Sequence, residues 1–223
     1  KKYRFIVPDH RGFGKSTLPK TAHASEMAQL ADDAIAILDA LAIDEAVIGG
    51  VSMGGYATMA LLRKHRRRAR ALVFIDTQLT ADDGAGKARR EELALGTLAR
   101  GTEVLVEAFL PKLVAPASSA EVKAKVEAMI RGNTKEACAA ALRGLALRTD
   151  SRDVLSAYDG PALVVVGEND AITPPQKSEE IAHAVAHAKL VRIPAAGHLS
   201  NLEAPDPFNR ALDEFLITVA KRI

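Results

Sequence analysis

Short apolar runs rich in β-branched residues recur along the chain, at 4–7, 46–51, 72–75, 162–166 and 190–193. They lack polar alternation and end within a few residues at turn-forming positions, the pattern of strands buried on both faces of a parallel sheet. Between the first two runs, Met27, Leu30, Ala34, Ile37, Leu38 and Leu41 follow a 3.6-residue period behind Ser25. This spacing predicts a crossover helix over 27–41 with Ser25 as its N-cap. Further helices are predicted over 54–64, 177–186 and 207–221, the last with Phe208, Leu212, Phe215, Leu216 and Val219 on one face. Strands alternating with helices predict the α/β class and a doubly wound, mostly parallel sheet.

Residues 86–148 break the rhythm as a helix-only stretch between the third and fourth runs. Capping signals recur inside it, at Ser118-Ser119-Ala120-Glu121 and Asn133-Thr134-Lys135-Glu136. The expected organisation is a core formed by 1–85 and 149–223, with 86–148 as a helical cap, or lid, whose inner face is aliphatic.

A chain of 223 residues, 48% hydrophobic and 26% charged, can bury one core with an inserted cap. Its apolar runs fall far short of the ~20 residues that span a bilayer, so no membrane partner is expected. A net charge of +2 gives no reason to expect nucleic acid. The local basic run 64–70 has no interleaved aromatics for base stacking and is read as a solvated helix end, where cations complement the helix dipole. The one cysteine, Cys138, lies among alanines. It excludes an intramolecular disulfide, argues against a Cys-based zinc site and fits a reducing, cytoplasmic location. His183 and His187, four apart on a predicted helix, have no third ligand nearby and are read as surface positions; no metal or cofactor is expected.

The candidate chemistry centres on Gly50-Val51-Ser52-Met53-Gly54-Gly55, between an apolar run and a helix. Gly-x-Ser-x-Gly in that context is a nucleophile-elbow pattern. The serine sits in a tight turn, so Gly50, Gly54 and Gly55 are expected to be the positions where side chains would collide. Ser52 would then stand at the carboxyl end of a strand and at a helix N-terminus, with the Met53 N–H as an oxyanion donor. A serine hydroxyl needs a positioned base. Of six histidines, His198 lies in a loop after the last predicted strand, where an α/β sheet gathers its site residues. Asp170, in the turn after 162–166, fits best as the acid that orients His198, with Glu168 and Asp76 as rivals.

Together with Asp9-His10-Arg11-Gly12-Phe13-Gly14-Lys15-Ser16, Asp170-x-x-x-Pro174-Pro175 after Gly167-Glu168-Asn169, and Gly197-His198-Leu199-x-Asn201-x-Glu203-x-Pro205, these segments resemble the α/β-hydrolase superfamily across nearly the whole chain. Within it they are most similar to the branch of 3-oxoadipate enol-lactonases, small carboxylesterases and haloperoxidase-like enzymes. The resemblance implies that Asp9 and Arg11 belong to a structural loop. It also implies a preceding strand with a His-Gly motif and a second oxyanion donor, which this sequence, opening at Lys1, does not contain. Three arrangements would answer the resulting gap in the sheet: direct pairing of 4–7 with 46–51, a strand from a partner chain, or a chain that is a fragment, which is the favoured expectation. The function expected is hydrolysis of small uncharged carboxylic esters or lactones through an acyl-enzyme. The alternative is an inactive hydrolase-like scaffold that binds a small hydrophobic ligand; the oligomeric state stays open.

Overall fold

The computed structural model describes residues 3–221. Four parallel strands, β1 (Ala46–Val51), β2 (Ala69–Ile75), β3 (Pro161–Gly167) and β4 (His187–Ile193), form one sheet in the order β1-β2-β3-β4. Each is joined to the next by helices: α1 (Met27–Ala40) precedes β1, α2 (Met53–His65) joins β1 to β2, and α8 (Pro175–Ala184) joins β3 to β4. The short α9 (Ser200–Glu203) and long α10 (Pro205–Ala220) follow β4.

The central strands show why an unbroken apolar run was needed. Leu72 and Phe74 of β2 and Ala162 and Val164 of β3 point to one face, against Met59, Leu62, Leu155 and Ile181. Their neighbours Val73, Ile75, Leu163 and Val165 point to the other, against Phe208, Phe215, Leu216 and Val219 of α10. Period-2 geometry thus buries every residue of a two-faced strand.

The run 4–7 forms no strand, and β1 pairs only with β2 among the described residues. Direct pairing of 4–7 with 46–51 is therefore overturned. Phe5 and Val7 are 65% and 88% exposed: β propensity reflects fit to a half-buried pleated surface, and here no ladder receives the segment. The N-cap of α1 also differs from expectation. Glu26 caps it, its N–H donating to Gln29 Oε1 at 3.3 Å. Ser25 is buried and its N–H donates to the Ala140 carbonyl, so tertiary packing claims it first.

Between β2 and β3 lie α3 (Gly84–Arg100), α4 (Glu103–Leu113), α5 (Ala120–Arg131), α6 (Lys135–Ala146) and the short α7 (Arg152–Ser156). The predicted capping residues Ser119 and Thr134 accept from the Val122 and Ala137 N–H groups. Ala94, Leu105, Cys138, Ala139 and Leu142 form a separate apolar cluster that also receives Phe13. Burial pushes the Cys138 thiol up to about 11, which keeps it protonated. The basic run ends α2 and continues through a 3-10 turn into β2; Lys64, Arg66 and Arg68 pair with Asp32, Asp159 and Asp39. His183 lies in the last turn of α8 while His187 begins β4, so the two do not share a helix. The extended Val185 stops α8 between them.

Candidate active site

The carboxyl ends of the four strands carry the site. Ser52 follows β1 at φ +49°, ψ −108°, a backbone conformation of the kind retained at functional sites and costing ~1–3 kcal/mol. Its N–H donates to Ile75 O, and Thr77 Oγ1 donates to Ser52 O at 2.9 Å, which ties the turn to the end of β2. A Cβ on Gly50 would lie 2.3 Å from the Gly54 carbonyl carbon, and one on Gly55 would lie 2.7 Å from Thr77. Gly54 differs from expectation, since a Cβ there meets nothing within 4 Å. The crowding is between β1 and the helix backbone, not around the side of Gly54. Met53 opens α2, and its N–H is one of the first-turn donors that an α-helix leaves without an intrahelical acceptor.

His198 lies in the loop after β4, 2% exposed. Its Nδ1 stands 2.8 Å from Asp170 Oδ2 and 3.0 Å from Oδ1. Asp170 follows β3 in a turn where Oδ1 accepts from the Ile172 and Thr173 N–H groups and Oδ2 from Thr173 Oγ1 at 2.7 Å. Burial opposes ionisation of Asp170, but the hydrogen bonds from His198 and Thr173 outweigh it and hold the carboxyl below its ordinary value. An ionised Asp170 favours the tautomer that carries its proton on Nδ1, which leaves Nε2 as the acceptor nitrogen of the ring.

The two rivals are placed elsewhere. Glu168 is exposed, and its backbone N–H donates to Ile193 O. Asp76 is fully buried at the end of β2 with φ +46°. It accepts from Gly167 N at 2.8 Å, Ser200 N at 3.0 Å and Ser200 Oγ at 2.7 Å rather than from His198. Burial dominates its titration and pushes it up to about 7. Among the described residues no group of three or more metal-ligating side chains gathers. Nor is any helix long and apolar enough to cross a membrane.

Asp9 and Arg11 act on the loop that carries them. Asp9 accepts from Lys15 N at 2.9 Å, and Gly14, at φ +54°, has no room for a side chain beside that carboxylate. Arg11 holds Asp33 of α1 through two bonds of 2.6 and 2.8 Å.

A family model described as the alpha/beta hydrolase fold matches residues 1–205. The chain belongs to the α/β-hydrolase fold family. Among its relatives in that family is the 3-oxoadipate enol-lactonase 2 of Acinetobacter baylyi, 28% identical over 95% of this chain and 78% of that protein. The structure of a thermophilic esterase from Thermogutta terrifontis superposes with a TM-score of 0.94 at 36% identity, covering 98% of this chain and 81% of that one. An enol-lactonase from Burkholderia xenovorans gives 0.82 at 30% identity, covering 94% and 79%.

Sequence reasoning missed Thr77, Thr173, Ser200 and Glu203, which engage the site through hydrogen bonds. Thr173 had a readable signal: an Asp followed three residues later by Thr is an Asx-turn pattern that presents a hydroxyl to the carboxylate. Thr77 and Ser200 join segments distant in sequence and carry no local signal; Glu203 stands in the Gly197-His198-Leu199-x-Asn201-x-Glu203-x-Pro205 segment, whose spacing does not show that its carboxylate also reaches Ala115 and Ser118.

Proposed function

We propose that this α/β-hydrolase cleaves carboxylic esters or lactones of small uncharged substrates through a serine acyl-enzyme. The observation that carries the reading is the buried His198–Asp170 pair at 2.8 Å, at the same carboxyl end of the sheet as a serine held at φ +49°. Ser52 Oγ attacks the carbonyl carbon and gives its proton to His198 Nε2. The tetrahedral oxygen accepts from the Met53 N–H, and His198 returns the proton to the leaving alkoxide. Water then repeats the sequence on the acyl-serine, with His198 again as base and Asp170 orienting its ring throughout. Lactonase and esterase names among the relatives are consistent with this substrate class.

The test is Ser52→Ala. p-Nitrophenyl ester hydrolysis is expected to fall at least ~1,000-fold, and labelling by a fluorophosphonate probe to vanish. Hydrolysis that survives the substitution refutes the nucleophile. A wild-type chain that neither hydrolyses esters nor labels would favour a ligand-binding scaffold instead.

A further inference from the structure

Glu203, the last residue of α9, lies outside the proposed triad, yet one carboxylate takes four hydrogen bonds from two parts of the molecule. Its Oε1 accepts from Gly197 N at 2.9 Å and Leu199 N at 3.3 Å, the two residues that flank His198. Its Oε2 accepts from Ala115 N at 2.7 Å and from Ser118 Oγ, both in the loop between α4 and α5 of the insertion. The backbones beneath it touch: a Cβ on Gly197 would lie 2.5 Å from Ala115 N and 2.8 Å from the Val114 carbonyl carbon. Val114, Ala115 and Gly197 are all buried, so a displacement of the α4–α5 loop has no slack to absorb it before it reaches His198.

We infer that Glu203 is a positioning residue that couples the α4–α5 loop of the inserted helices to the orientation of His198. It acts through the backbone on either side of the imidazole, while Asp170 acts on the ring itself. The inference rests on the proposed role of His198. Cap placement over a bound acyl group and the readiness of the base would then be set by the same carboxylate, so substrates that seat the insertion correctly are turned over faster, not merely bound more tightly.

Glu203→Gln tests this with little change of volume. A glutamine has one acceptor oxygen and an NH₂ donor, so it cannot serve N–H groups on both sides, and the link is cut. The expected result is a loss of roughly 10- to 100-fold in kcat, the range for a misplaced catalytic group, with KM within ~2-fold. Ser118→Ala is expected to lower kcat by ~3-fold alone and to add nothing in the Glu203→Gln background, the non-additivity of residues in one network. The proton resonance of His198 Nδ1–H, bonded to Asp170, should move in Ser118→Ala but not move further once Glu203 is Gln. Additive effects, or a kcat loss matched by an equal loss of fluorophosphonate-titratable sites, overturn the coupling and leave Glu203 a fold support. If wild-type protein neither labels nor turns over, the nucleophile assignment fails, while the resonance still decides the coupling.

Discussion

Two buried carboxylates lie at the carboxyl ends of neighbouring strands, and their surroundings drive them in opposite directions. Asp170 is hydrogen-bonded to the imidazole and ionises readily; Asp76 is hydrogen-bonded only to backbone N–H groups and a hydroxyl, and burial outweighs these and the nearby His198, raising it to about 7 from an ordinary 3.8. Asp76 therefore holds a proton in the folded chain between about pH 4 and 7 that the unfolded chain has released. Its contribution to folding stability therefore falls as pH rises through that interval. Asp76→Asn should remove this slope. Urea denaturation at pH 5 and pH 8 is expected to show the wild-type chain losing stability relative to the variant, on the order of a few kcal/mol. Asp170→Asn acts on chemistry instead: the Nδ1–H loses its carboxylate acceptor, the wrong tautomer is favoured, and kcat should fall roughly 10³- to 10⁴-fold with the fold retained, as steady-state kinetics and circular dichroism would show.

The β1–α2 turn is the element on which the site depends, and its glycines are not equivalent. Gly50 and Gly55 face backbone and Thr77 at distances no Cβ tolerates, whereas Gly54 faces open space. Gly50→Ala and Gly55→Ala should each cost ~1–3 kcal/mol or more and lower the yield of folded protein. Gly54→Ala should be neutral or stabilising by up to ~1 kcal/mol, because alanine loses less backbone entropy in a helix. Thermal unfolding of the three variants separates these outcomes. The contrast between neighbours was not readable from the motif, which contains the three glycines without saying which of them another backbone approaches. The strand cores were readable, since β1 matched its predicted bounds and β2, β3 and β4 only gained residues at their ends. End residues depend on the partner strand's length, which local pattern does not contain.

Across the molecule, the inserted helices carry ion pairs buried to very different extents. Arg148 is 3% exposed, grips Asp82 through two bonds of 2.6 and 2.7 Å, and lies 4.6 Å over the Tyr56 ring of α2. Asp82 also receives Arg90 of α3, and Arg143 of α6 chelates Glu91 of α3. Arg148→Leu leaves Asp82 with one partner fewer and bares the Tyr56 face, so a loss of roughly 3 kcal/mol in urea denaturation is expected. Arg143→Leu, at a more exposed pair, should cost under ~1 kcal/mol by the same measurement.

The sequence alone determined the strand and helix alternation from 46 onward and the Ser52 turn, because hydrophobic period and Gly-x-Ser-x-Gly chemistry are local. Only the tertiary structure decided which acid meets His198. Asp76, Glu168 and Asp170 all follow strands, and burial and direction, not residue type, separate them. It also decided that 4–7 makes no strand, since a ladder needs a neighbour that Arg4-Phe5-Ile6-Val7 cannot supply for itself. The same holds for Glu203: its four hydrogen-bond donors come from segments more than 80 residues apart, at Ala115 and Gly197, and only folding brings them to one carboxylate.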